Sequence, residues 1–191
     1  MMSEIKHLLI DSARLKMKLA EDDVFVEQVK LAAESLCSCF RSGNKVLFCG
    51  NGGSAADAQH LAAEFSGRFE KDRAPLPAEA LHVNSSYMTA VANDYSFDVV
   101  YSRMIEAMGK PGDVLVGFST SGNSKNIIHA FEAAAKLGMK TIAFTGKDGG
   151  KLKPMADICI HIPHNNTARV QEVHITAGHI ICKLVEEKLF N

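Results

Sequence analysis

Five short apolar runs, at residues 45–49, 80–83, 114–118, 141–144 and 158–162, alternate with stretches of helical periodicity. The helical stretches cover residues 55–66, 86–92 and beyond, 125–137, a short piece near 151–155, and 169–190. Strands that alternate with helices must be joined by crossovers, which gives βαβ units and a parallel sheet covered on both faces. The runs are nearly continuous in apolar residues, as strands buried on both sides require. The expected fold is therefore α/β, a doubly wound five-stranded parallel sheet flanked by helices. Residues 1–41 add a helical hairpin. Ile5, Leu8, Leu9, Leu15 and Leu19 recur near a 3.6-residue period, Val29, Ala32, Ala33, Leu36 and Phe40 continue it, and Glu21-Asp22-Asp23 marks the break. That hairpin has an apolar face that suits either an oligomer interface or packing on its own sheet. At 191 residues the chain is expected to be a single domain, residues 1–191.

Composition narrows the function. Twenty-one Lys and Arg against twenty-two Asp and Glu leave a formal net charge of −1. A chain that lived on counterion release from nucleic acid would carry a basic excess, so no nucleic-acid partner is expected. The longest stretch free of charged residues, 80–93, contains His82, Asn84, Ser85 and Ser86 and cannot serve as a membrane span. The first twenty residues hold six charged side chains and no apolar leader core, so a cytoplasmic location is expected. Cys37, Cys39, Cys49, Cys159 and Cys182 form no CxxC pair and read as small core hydrophobes.

Ligands of open parallel sheets bind beyond the C-terminal ends of the strands. The first strand leaves through Gly50-Asn51-Gly52-Gly53-Ser54 into a helix, with Ser54 suited to the N-cap. The segment satisfies G-x-G-x-x-A. A dinucleotide site would also need an acid at the end of the second strand, where this chain has His82-Val83-Asn84. The third strand leaves through Ser119-Thr120-Ser121-Gly122-Asn123-Ser124. Four hydroxyls and no P-loop lysine suit a bound monophosphate rather than a transferred phosphoryl group. The fourth strand's loop, 145–150, is either a third wall or a flexible turn.

His60 and Glu64 lie four apart on one helical face, with Asp57 three before His60. The last helix carries Gln171, Glu172, His174 and His179. At about 100° per residue, His174 and His179 point roughly 140° apart, so only one of them can share a site with Gln171, and spacing leaves both open. Such a face could bind a divalent ion such as zinc, or supply a carboxylate base and an imidazole acid beside a carbonyl.

The segments CGNGGSAADAQHLAAEFSGRF, AND at 92–94, STSGNS, TGKDGG and RVQEVHITAGH resemble the sedoheptulose 7-phosphate isomerases, also called phosphoheptose isomerases, in order and over almost the whole chain. The resemblance implies a flavodoxin-like sugar-isomerase (SIS) fold and a homotetramer with active sites between subunits. It also implies conversion of sedoheptulose 7-phosphate to D-glycero-D-manno-heptose 7-phosphate, the first step toward the nucleotide-activated heptose of lipopolysaccharide core or capsule. By the same resemblance, Ser119, Thr120, Ser121 and Ser124 bind phosphate, and Asn51, Gly52, Gly53, Ser54, Asn93 and Asp94 meet substrate. His60, Glu64, Gln171 and His179 match one zinc site per subunit, which selects His179 over His174. Glu64, also a substrate contact like Gln171, and His179 match the base and acid of an enediol mechanism. Some members carry Asp just before the Arg of R-x-Q-E, where this chain has Ala168.

Two other functions compete. A paralogue of these isomerases is a non-catalytic tetramer that binds the bacterial replication initiator, and it lacks the full acid and metal set. Similar domains also serve as sugar-phosphate sensors fused to a DNA-binding module, for which this chain has no segment left over. The joint presence of His60, Glu64, Gln171 and His179 favours the enzyme.

Overall fold

The structure is a computed structural model that describes residues 1–191. Two helices open the chain, α1 (Met2–Ala20) and α2 (Asp23–Arg41). There follow β1 (Val46–Gly50), α3 (Gly53–Ser66), β2 (Ala78–Ala80), α4 (Ser85–Asp94), a 3₁₀ turn (Phe97–Val99) and α5 (Val100–Met108). The second half runs β3 (Val114–Ser119), α6 (Lys125–Lys136), β4 (Lys140–Thr145), α7 (Leu152–Met155), β5 (Ile158–His161) and α8 (Thr167–Phe190). All five strands pair in parallel in the order β2-β1-β3-β4-β5, with Val46 opposite both Ala78 and Val114, and Ile142 opposite Ile158. The order reverses at β1, so the crevice between the β1 and β3 exits is the switch point where doubly wound sheets hold ligands. No helix is long and apolar enough to cross a membrane.

Alternation along the buried strands divides the core into two layers. Phe48, Val116, Phe118, Ile142 and Phe144 face α2, α3 and α8, while Leu47, Cys49, Leu115 and Ala143 face α5 and α6. Each Val, Leu, Ile or Phe among them contributes about 1.5–3 kcal/mol by leaving water. The two helices of the hairpin behave differently. Asp22 caps α2 by accepting from the Val24 and Phe25 amides, and α2 buries seven residues from Val29 to Phe40. Helix α1 buries only Leu19 and leaves Ile5, Leu8, Leu9 and Met17 about half exposed or more. All five thiols are free.

Two local expectations are corrected. The second strand covers Ala78–Ala80 rather than 80–83, because Leu81 and Val83 already belong to the turn, with the Val83 amide donating to Ala80. Ser54 is not an N-cap: Gly52 occupies that position and Ser54 is buried inside the first turn of α3. Helix α5 has no side-chain cap and only nine residues, so its boundary gave no sequence signal.

Helices α3 and α8 run side by side at very close range. A Cβ on Gly178 would stand 2.5 Å from Leu61 Cδ1, and one on Gly53 would stand 2.6 Å from Gln171 Nε2, so a side chain at either position would have to displace the end of that neighbour. A buried ion pair locks the far end of the pair. Arg73 Nε donates to Glu186 Oε1 at 2.8 Å, with both side chains at most 3% exposed. The same carboxylate accepts from the Phe69, Glu70 and Lys71 amides, while the Arg73 guanidinium donates to the Glu64 and Phe65 carbonyls at the end of α3. Burial pushes the Glu186 pKa up, but the Lys71, Arg73, Glu70 and Phe69 donors together outweigh it and hold the carboxyl below its ordinary value. Arg73→Met would leave that carboxylate buried without its cation, an expected loss of about 3–5 kcal/mol. Comparing the denaturant midpoints of the two proteins reads that loss directly.

Candidate active site

The helix pair gathers one cluster. His60 Nε2 lies 2.9 Å from Glu64 Oε1 and 3.4 Å from His179 Nε2, and the two rings meet edge to face at 5.0 Å. The Phe69 ring lies 5.6 Å from that of His179. One donor atom from each of His60, Glu64 and His179 lies within 4.8 Å of the others. His174 is elsewhere: it is fully buried between Phe118 and Phe144, with Nε2 on the Thr145 carbonyl at 3.3 Å and Nδ1 without a partner. The 140° between the two histidines thus sends one to the site and one to the sheet.

The donor set fits a divalent ion. Two imidazole nitrogens and one carboxylate oxygen match three-ligand catalytic zinc sites, which keep a fourth position open. Donors bound at 2.0–2.1 Å in a tetrahedron stand about 3.4 Å apart, the separation found between the two histidine nitrogens. One turn back along α3, Asp57 Oδ2 is buried without a partner, and burial pushes this carboxyl up to about 6 against the opposing pull of His60.

A second cluster occupies the C-terminal edge of the sheet. Ser119 Oγ lies 3.0 Å from Ser124 Oγ and 3.4 Å from Ser121 Oγ, and Ser121 Oγ also accepts from the Asn123 amide. The 145–150 loop braces this turn from behind. The Gly146 amide donates to the Thr120 carbonyl, Leu152 donates to Gly122, and the Lys151 amide donates to the Asn123 side chain. It is a wall. The Asn51 and Asn126 amides exchange two hydrogen bonds at 2.9 and 2.8 Å, joining the β1–α3 turn to α6. Gln171 lies here too, against Gly53 and 3.5 Å from Ser54 Oγ. Asn93 and Asp94 end α4, are exposed, and hydrogen-bond to each other.

One chain does not unite these clusters. Eleven residues separate Gly53 from Glu64 on α3, a rise of roughly 16 Å, and Gln171 and His179 are roughly 12 Å apart along α8. The Phe65 carbonyl accepts from Leu76, just before Pro77, whose carbonyl accepts from Val46 at the start of β1. Glu64 therefore stands toward the N-terminal edge of the sheet and the hydroxyl loop at the C-terminal edge. Sequence reasoning missed Asn126, Arg73, Glu186 and Phe69. A faint signal for Asn126 existed, since Asn is a poor helix former unless its side chain has a dedicated partner.

A sequence profile described as SIS domain matches residues 12–146. The phosphoheptose isomerase of Clostridium acetobutylicum is 50% identical over 179 residues, 94% of this chain and 91% of that protein. The solved structure of phosphoheptose isomerase GmhA from Neisseria gonorrhoeae superposes with a TM-score of 0.91 at 43% identity, covering 97% of this chain and 98% of that one. That of a phosphoheptose isomerase from Francisella tularensis gives 0.92 at 36% identity, over 97% and 98%. The chain belongs to the SIS domain family and, within it, to the phosphoheptose isomerases.

Burial lowers the His174 pKa from 6.5 to about 4, with the Thr145 carbonyl pulling weakly the other way. A depressed histidine favours the fold while neutral. Its contribution is fully present above about pH 6.5 and is lost as the pH falls toward 4. The amount at stake is roughly 3 kcal/mol. In paired urea titrations at pH 7 and pH 4.5, the wild type should lose more stability than His174→Gln, which cannot titrate.

Proposed function

We propose that the chain interconverts sedoheptulose 7-phosphate and D-glycero-D-manno-heptose 7-phosphate, with Glu64 and His179 doing the proton chemistry. The observation that carries this reading is the convergence of a carboxylate and two imidazoles in a chain 50% identical to a named phosphoheptose isomerase. Glu64 removes a proton from C1 and returns it to C2, while His179 passes the hydroxyl proton from O1 to O2. Ketose becomes aldose through an enediol, and no atom is gained or lost. His60, Glu64 and His179 would hold zinc, with Gln171 as a further ligand, and the chemistry zinc supplies when bound is polarisation of the C1 and C2 oxygens. Ser119, Thr120, Ser121 and Ser124 seat the phosphate, and Asn51, Gly52, Gly53 and Ser54 line the adjacent sugar. The reaction stands as the first step toward a nucleotide-activated heptose in the cytoplasm.

The active unit in this reading is a homotetramer with sites between copies. An extended heptose 7-phosphate spans roughly 10 Å from C1 to phosphorus on carbon–carbon bonds of about 1.5 Å. That falls short of the rise between the two clusters of one chain, so phosphate loop and base come from different copies. The same assembly would bring Gln171, Asn93 and Asp94 to a neighbour's cluster and cover the apolar face of α1. No feature favours the non-catalytic reading.

Glu64→Gln should lower kcat about 10²–10⁴-fold on sedoheptulose 7-phosphate while the protein keeps its melting temperature. Chelation should abolish turnover and added zinc restore it. Glu64→Gln co-refolded one to one with a Ser119→Ala/Ser121→Ala/Ser124→Ala chain should recover about a quarter of wild-type activity if sites are shared between copies. Recovery absent from mixed tetramers would place each site within a single chain.

A further inference from the structure

The strongest unassigned feature is the reciprocal amide pair between Asn51 and Asn126. Asn126 sits in the first turn of α6, two residues past Ser124, and is 3% exposed. Its side chain does not cap the helix, for α6 has no side-chain cap. A buried Asn in a helical turn lowers helix propensity without adding apolar area. Its one structural use is the pair of hydrogen bonds to Asn51, each amide donating to the other's oxygen. Asn51 lies at the head of the turn that leads through Gly52 and Gly53 to Ser54, and the Tyr101 hydroxyl pins that turn from the other side by donating to the Gly50 carbonyl.

The pair bridges the two strand exits on either side of the switch point. One exit carries the hydroxyl loop and the other carries Gly53 and Ser54, against which Gln171 rests. The pairing takes one N–H and one oxygen lone pair of each amide and so fixes the orientation of the Asn51 side chain and of the turn that carries it. We propose that Asn126 is a positioning residue: through Asn51 it holds the β1–α3 turn at a fixed distance from the phosphate loop, so that a seated phosphate delivers its sugar onto the Asn51–Ser54 backbone. Nothing in this assignment makes Asn126 touch the substrate. It rests on the reading of 119–124 as the phosphate loop.

The test uses Asn126→Leu, which keeps the volume and removes both hydrogen bonds, and Asn126→Ser, which shortens the side chain beyond reach of Asn51. Loss of two neutral hydrogen bonds corresponds to about a ten-fold change. Both variants should raise KM for sedoheptulose 7-phosphate about ten-fold with a smaller change in kcat. Inorganic phosphate, as a competitive inhibitor, should bind within about two-fold of wild type, because the 119–124 loop itself is intact. Amide hydrogen exchange with phosphate added should protect residues 51–54 in the wild type and not in either variant. Wild-type KM in folded variants, or equal weakening toward phosphate and sugar phosphate, would overturn the proposal. So would the failure of both variants to fold, which would make the pair a support of the core. If the wild type does not turn over this sugar, the functional reading fails by itself, and the exchange experiment with phosphate still decides the positioning role.

Discussion

Helices α3 and α8 approach so closely that the Leu61 side chain rests on Gly178 and the Gln171 side chain on Gly53, each in the space a Cβ would occupy. This contact sets the axial register between the two helices, and the register decides which side chains meet. His60, Glu64 and His179 fall at one level, whereas Gln171 falls beside Gly53 at another. The Arg73–Glu186 pair fastens the lower end of the arrangement and ties the following loop to the last turn of α3. A buried ion pair contributes little net stability, because desolvation offsets most of the attraction. What it supplies here is location: four donors converge on one carboxylate, and only one placement of the 67–77 segment satisfies them.

The same geometry explains why the polar groups are divided between two edges of the sheet. The hydroxyl loop, the Asn51 turn and Gln171 share the C-terminal edge, where strand exits and helix starts present unpaired amides to an anion. The carboxylate and its two imidazoles lie roughly three helical turns away, on a surface that one chain leaves open to solvent. Charge is arranged accordingly. The C-terminal cluster is built from neutral hydroxyls, amides and backbone, while the ionisable His60, Glu64 and His179 collect at the other edge.

Most of the architecture was legible in the chain. The alternation of apolar runs with helical periods determined a parallel sheet, and Asp22 before Val24 and Phe25 marked the start of α2. The second strand was misplaced because the chain turns directly after Ala80: Leu81 is buried and donates once more to Phe48 of β1, whereas Val83 closes the turn onto the Ala80 carbonyl and is largely exposed. The hairpin was ambiguous in the sequence because both helices carry an apolar stripe, and only packing distinguishes α2, which is covered, from α1, which is not.

The candidate site divides along the same line. Residue types and local spacing determined that the β1 and β3 exits are glycine- and hydroxyl-rich turns leading into helices, that His60 and Glu64 share a face, and that His174 and His179 point apart. These are properties of adjacent residues, set by strand and helix periods. Spacing could not choose between the histidines; the resemblance pointed to His179, the tertiary structure sets it beside His60, and that structure alone decided that His174 belongs to the sheet beside Phe118 and Phe144 and that Asn126 pairs with Asn51. Those outcomes depend on how far one helix slides along another and on contacts between residues 30 to 119 positions apart. Local periodicity carries no information about either.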